Sequence, residues 1–161
     1  VASSVSLDDI DRVILDALQS DGRITNVALA RRAGLTAPPC LRRVRALEVA
    51  GVIDSYHAKL SASALGYGIT VFALVSLRSQ AEEALRGFEA HAATLPEIRE
   101  CHMLNGEIDF ILKIVAHDLQ SFQAFLTSKL TTAPNVASVK TSLIIRTSKD
   151  EPGVPVDMRA A

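Results

Sequence analysis

The sequence predicts an α+β protein in two parts: a small helical head over residues 1–60 and a βαββαβ domain over 69–148. A linker at 61–68 joins them and a tail follows at 149–161. Three observations carry this prediction. Apolar residues recur at helical spacing through the first fifty or so residues and in alternating runs after Ile69. Gly34 and Gly51 each follow a periodic segment, where a helix stop belongs. The segments after Ile69 read strand, helix, strand, strand, helix, strand.

In the head, Ile10, Val13, Ile14, Ala17 and Leu18 form the first helical stripe. Ser6 and Asp9 make a capping-box-like start, and QSDGR breaks the helix. Thr25 is placed to cap a second helix carrying Val27, Leu29, Ala30 and Ala33 up to Gly34. Thr36 is placed to cap a third, which runs to Gly51. Pro38 and Pro39 then fall in its first turn, where amide protons have no intrahelical acceptor, so the helix starts abruptly and in a fixed direction. VIDSYHAKL, from Val52, alternates loosely enough for a short strand or hairpin.

In the second part, ITVFALVSL is a strand with apolar residues on both faces. Ala81, Leu85, Phe88, Ala92 and Leu95 form a helical stripe. IRECHMLNGEIDFILKIVA reads as two strands joined at Asn105-Gly106, a two-residue hairpin signal in which Gly106 supplies a positive φ. Leu119, Phe122, Leu126 and Leu130 make the second stripe, and VASVKTSLIIRT is the last strand. This order is the ferredoxin-like arrangement. The tail is expected to be loose or to pack on a neighbour.

The head also carries a charge pattern. Arg31, Arg32, Arg42, Arg43 and Arg45 fall between residues 31 and 45 with no acid among them, although the whole chain has a net charge of −1. On a helical projection at about 100° per residue, Cys40, Leu41, Val44 and Leu47 share one side of the third helix. Arg42 points almost directly away, flanked by Arg43 and Arg45. Two helices joined by a tight turn, the second exposing arginines beyond a fixed start, follow helix-turn-helix logic. Thr36, Ala37 and Pro38 would then approach base edges, and the arginines would take phosphates or guanine. The competing interpretation is a small bundle whose arginines are a solvated face.

LDDIDRVILDALQSDGRITNVALARRAGLT, PPCLRRVRALEVAGVIDSYHAKL and ECHMLNGEIDFILKI together resemble the Lrp/AsnC (feast/famine) transcriptional regulators, from about Leu7 to Ser148. The resemblance implies an N-terminal winged helix-turn-helix that binds double-stranded DNA. It also implies a C-terminal ferredoxin-like domain that binds a small-molecule effector, usually an amino acid, and dimers assembled into tetramers, octamers or higher forms. GEIDF, from Gly106, resembles the family's G-D-x-D-[FY] signature, with Glu107 in place of its first acid. By that resemblance Asp109 would pair with the effector's ammonium. The backbone at Leu104, Asn105 and Gly106 would bind its carboxylate, and Ser138 of a neighbouring chain would complete the pocket. Arg42 stands where relatives often carry an acid, Ala46 replaces a usual basic residue, and the two prolines are adjacent rather than split. The plainer interpretations are a turn glycine at Gly106 and an ordinary strand-start charge at Asp109.

The remaining features narrow the function class. No run of eighteen or more apolar residues marks a membrane span, and the acidic N-terminus lacks a signal-peptide core. Cys40 and Cys101, far apart and without CxxC spacing, fit reduced thiols in the cytoplasm. Cys101 and His102 point to opposite faces of a strand and make poor joint ligands, so neither a metal nor another cofactor is expected. A four-stranded sheet with both helices on one side leaves its other face bare, and that face needs a partner; a homo-oligomer follows. The rival functions are an enzyme on the ferredoxin-like domain, a protein-binding adaptor, and a regulator or architectural protein that responds to no ligand.

Overall fold

The structure, a computed structural model, describes residues 6–157. The first helix, α1 (Asp9–Ser20), is opened by a capping box. The Asp8 carboxylate accepts from the Asp11 amide at 2.8 Å, and the Asp11 carboxylate accepts from the Asp8 amide at 3.3 Å. The box therefore lies two positions beyond the Ser6 and Asp9 expected from sequence. Two carboxylates at the positive end of the helix dipole are favoured there over a neutral hydroxyl.

Helix α2 (Asn26–Arg32) is capped by the Thr25 hydroxyl, which accepts from the Ala28 amide, and the turn beyond it passes through Gly34 at φ +68°. Helix α3 (Ala37–Val49) follows Thr36, whose side chain makes no cap bond. A capping hydroxyl accepts from the second or third helical amide. Here those positions are Pro38 and Pro39, which have no N–H, so the expected Thr36 cap cannot form. Gly51, at φ +69°, ends α3, and the amides of Val52 and Ile53 both return to the Leu47 carbonyl. Ile14, Ala17, Leu29, Ala30, Cys40, Val44 and Leu47 form the core of this unit.

The strand or hairpin expected over VIDSYHAKL is not formed. Val52 and Ile53 fold back onto the helical core, and residues 54–60 meet no strand with which to build a ladder. Tyr56 instead donates to Glu48 Oε1 at 2.9 Å.

The second unit runs β1 (Ile69–Leu77), α4 (Glu82–Ala93), β2 (Ile98–Met103), β3 (Phe110–Ala116), α5 (Leu119–Phe125) and β4 (Val136–Leu143). The sheet is antiparallel in the order β2-β3-β1-β4, the ferredoxin-like order. Val71, Ala73, Val75, Leu77, Phe110, Leu112 and Ile114 face the helices and are buried with Phe88, Ala92, Phe122, Phe125 and Leu130. The Phe88 and Phe110 rings lie 4.8 Å apart, and burying each ring stabilises the unit by about 2–3 kcal/mol. After Phe125 the helix widens into a π-helical turn, Leu126–Leu130. Around it the hydroxyls of Thr127, Ser128, Thr131 and Thr132 each bond back to a carbonyl four residues earlier, competing with the helix ladder.

The β2–β3 connection differs from the expected two-residue Asn-Gly turn. The Leu104 amide donates to the Asp109 carbonyl at 2.8 Å, so residues 105–108 form the loop, and Gly106 is not among the positive-φ glycines. The cause is on β1: the Asp109 amide donates to the Val75 carbonyl and its carboxylate accepts from the Leu77 amide. These bonds hold Asp109 in register, and the longer loop follows.

The described residues divide into two compact units, one comprising those up to Lys59 together with those from Lys149 onward, the other Leu60–Ser148. Residues 61–68 thus fall within the second unit, where Ser63–Leu65 form a 3₁₀ turn and Tyr67 stacks on His117 at 4.5 Å. The tail returns to α1 of its own chain. No described helix is long and apolar enough to cross a membrane.

Candidate DNA interface and effector site

The start of α3 is held from α2: Asn26 Nδ2 donates to the Ala37 carbonyl at 2.8 Å, while Asn26 Oδ1 is buried without a partner. With Pro38 and Pro39 fixing φ, this bond sets where the helix begins. The Thr36 hydroxyl is left without a partner among the described residues. Thr36 and Pro38 are exposed and Ala37 is half-buried, so the three lie together at the helix start.

The five arginines separate into two kinds. Arg31, Arg42 and Arg45 are exposed and meet no acid among the described residues. Arg32 pairs with Asp16 at 2.9 Å, a half-exposed pair of small energetic weight. Arg43 is different. Its guanidinium reaches Asp8 at 2.7 Å and Asp11 at 2.8 Å, with its side chain 34% exposed and that of Asp11 only 16%. Hydrogen bonds to Asp11 and Asp8 push the Arg43 pKa up. The Asp11 amide, then the Arg43 hydrogen bond, hold the Asp8 carboxyl below its usual range. Sequence groups Arg43 with the outward arginines; the structure turns it inward, where it clamps α3 to the cap of α1.

In the second unit, Asp109 is 6% exposed and is the buried charged residue among the described ones. Its Oδ2 accepts from the Leu77 amide at 2.7 Å and its Oδ1 from Gln80 Nε2 at 2.9 Å. It ties the 105–108 loop to the end of β1 and to the approach to α4. The Leu104 amide donates to the Asp109 carbonyl, so of the three backbone positions that the resemblance assigns to an effector carboxylate, Leu104 already has an acceptor. Ser138 pairs with Ser76 on the side of β1 away from β3, and so lies apart from Asp109 within one chain. Cys101 pairs with Leu112, and burial, then the Glu89 charge, push its thiol pKa up. His102, on the opposite face, lies 3.5 Å from Glu100.

Two family models match the chain: Winged helix-turn-helix DNA-binding over residues 7–54, and Lrp/AsnC ligand binding domain over residues 70–154. The chain belongs to the Lrp/AsnC family. A leucine-responsive regulatory protein of Rhizobium meliloti is 54% identical over 146 residues, covering 91% of this chain and 94% of the relative. The Bkd operon transcriptional regulator of Pseudomonas aeruginosa is 40% identical, covering 87% and 92%. A transcriptional regulator of Neisseria meningitidis, crystallised as its L-Met complex, is 35% identical with a TM-score of 0.91, covering 94% and 98%.

This Lrp/AsnC chain is thus a DNA-binding transcriptional regulator with a ligand-binding C-terminal domain. Three residues important to its geometry escape the sequence patterns. Asn26 reads as an ordinary first-turn residue, Gln80 as a loop polar residue, and Asp11 as a surface acid. One signal was available for Arg43: at about 100° per residue it falls about 60° from Cys40, at the edge of the buried side rather than opposite it.

Proposed function

We propose that the chain reads DNA through Arg31, Arg42 and Arg45 with the helix start at Thr36, Ala37 and Pro38, and that an amino acid modulates this binding. The observation that carries the DNA part is the set of exposed arginines, unpaired among the described residues, on either side of a helix start fixed by two prolines and Asn26. Unpaired arginines are free to displace counterions from phosphates, whereas Arg43 is committed within its unit and Arg32 is shared with Asp16. The function is recognition and response rather than catalysis, exercised in a reducing cytoplasm that suits free Cys40 and Cys101.

For the effector, the Asn105 and Gly106 amides supply donors for a carboxylate, and each Asp109 oxygen, already accepting one protein bond, has a lone pair left for an ammonium. Ser138 would be contributed by a neighbouring chain. The leucine-responsive relative and the L-Met complex make leucine and methionine the first amino acids to try. The second copy would cover the face of the sheet opposite the helices. There Phe72, Leu74, Ile111 and Val115 are only half-buried, with Lys113, Lys140 and Glu100 around them. A two-fold pair of chains would meet a two-fold operator.

The test is binding to the gene's upstream DNA over a salt series, with and without leucine, methionine and pooled amino acids. The expected result is steep salt dependence and a change in affinity with at least one amino acid. Replacing Arg42 or Arg45 by alanine should lower the salt slope by about 1. Salt-independent binding, or none at low salt, would overturn the DNA reading. Indifference to every amino acid would overturn the Asp109 pocket and leave the regulator.

A further inference from the structure

The C-terminal segment is seated on α1 by bonds to its backbone. The Gln19 side-chain amide pairs with Val154 in both directions: Nε2 donates to the Val154 carbonyl at 2.6 Å, and Oε1 accepts from the Val154 amide at 3.1 Å. Arg12 Nη1 donates to the Asp157 carbonyl at 2.9 Å. Lys59 Nζ meets Asp150 twice, at 2.7 Å to its carboxylate and 3.2 Å to its carbonyl. A primary amide that matches both polar groups of one residue requires the peptide to approach closely. Gly153 permits that approach. It lies at φ +68°, a conformation that favours glycine, and a Cβ built there would overlap the Gln19 amide and push that side chain out of its pair.

The connectivity makes this seat consequential. The chain crosses between the two units after Lys59 and again after Ser148. On the first unit the residues flanking the crossings, Lys59 and Asp150, are paired. On the second, Ile144 beyond the end of β4 donates to the Thr70 carbonyl at the start of β1, at 2.9 Å, so the first and last strands meet inward of the two crossings.

We propose that residues 149–157 are a second tether for the DNA-binding unit. Seated on α1, they restrict how that unit is presented to DNA and favour one spacing between the half-sites of an operator. Unseated, they leave the unit hanging from a single crossing. The inference rests on the regulator reading above. Its physical basis is pre-organisation: a unit already restrained loses less freedom on binding, and two linked units gain the most when their span matches that of the sites.

The test uses the full chain, with Gly153→Ala and Gln19→Ala as independent variants that leave the exposed arginines untouched. Hydrogen exchange followed by mass spectrometry reads the seat. The Val154 amide should be protected in the wild type and exchange at least about tenfold faster in either variant, since its acceptor is lost. DNA duplexes selected from a random pool by the wild type provide the operator, assayed as selected and with about half a helical turn inserted between half-sites. Both variants should bind the selected spacing about tenfold more weakly and lose most of the wild type's discrimination against the insertion. Fast exchange at Val154 in the wild type overturns the seat. Fast exchange in the variants with an unchanged spacing preference overturns the tether. A wild type that selects no DNA overturns the regulator reading and with it the tether's role on an operator, while the exchange result still distinguishes a seated from a loose segment.

Discussion

Replacing Arg43 by alanine separates an arginine that clamps from one that reads DNA. In the structure its guanidinium bridges Asp8 and Asp11 at 2.7 and 2.8 Å, tying the middle of α3 to the capping box of α1. A solvent-exposed pair contributes about 0.2–1 kcal/mol. The Asp8 arm, with that carboxylate half exposed, belongs in this range; the Asp11 arm is more shielded and falls at its upper end. Loss of both should cost the helical unit about 1–2 kcal/mol. A domain of this size shifts by about 4–8 °C per kcal/mol, so its thermal transition, followed by circular dichroism at 222 nm, should fall by about 4–16 °C.

The pH dependence carries a sign. Asp8 is held below its usual value of 3.8, so its contribution is present above that value and is lost as pH falls through the lower folded value. Arg43→Ala should flatten this acid limb without abolishing it, because the Asp11 amide still favours the charged carboxylate. At neutral pH the variant's DNA salt slope should be unchanged once allowance is made for folding. Arg45→Ala should do the reverse, lowering the slope by about 1 and leaving the transition in place. An Arg43→Ala protein with an unaltered transition and a reduced salt slope would refute the clamp.

Three further outcomes follow from the geometry. Thr25→Ala should cost the helical unit about 1 kcal/mol, because its hydroxyl caps α2, whereas Thr36→Ala should cost less than about 0.5 kcal/mol because Pro38 and Pro39 offer no amide; paired urea melts check the contrast. Asp109→Ala leaves the Leu77 amide without its acceptor and should destabilise the sheet unit by about 1–3 kcal/mol, read by hydrogen exchange along the end of β1. Burial, then the Glu48 hydrogen bond and charge, push the Tyr56 pKa up to about 12, so its absorbance at 295 nm should rise only near that pH. The stabilisation from this raised value is complete below the ordinary value of 10 and is lost as pH rises through about 12; Glu48→Gln should bring the ionisation down.

The α1–α3 stripes, the Gly34 and Gly51 stops and the β-α-β-β-α-β order were legible in the sequence because each is local. A helical or alternating period, a glycine stop and two prolines act over a few residues and need no distant partner. The resemblance to Lrp/AsnC regulators was equally legible, since its motifs lie along the chain in order. Where tertiary contacts compete with local signals, local reading fails. Asn105-Gly106 is a hairpin signal, yet Asp109 is fixed by two bonds to β1 and the connection takes the longer path. VIDSYHAKL alternates, yet a strand needs a neighbour and none lies beside it among the described residues. Thr36 stands at a cap position, but the prolines beyond it remove the donors, a conflict that was visible in the sequence itself.

The arginines mark the boundary between the two kinds of information. Sequence alone determined that five cationic side chains gather around a turn between two helices. Only the tertiary structure decided that Arg31, Arg42 and Arg45 meet no acid among the described residues, that Arg32 is shared and that Arg43 is committed, because an arginine's role depends on which carboxylates the fold brings within reach of its guanidinium. The C-terminal segment shows the same division. Its sequence has no period or motif, and its place is set by one glutamine on α1 and one glycine whose missing side chain lets the two meet.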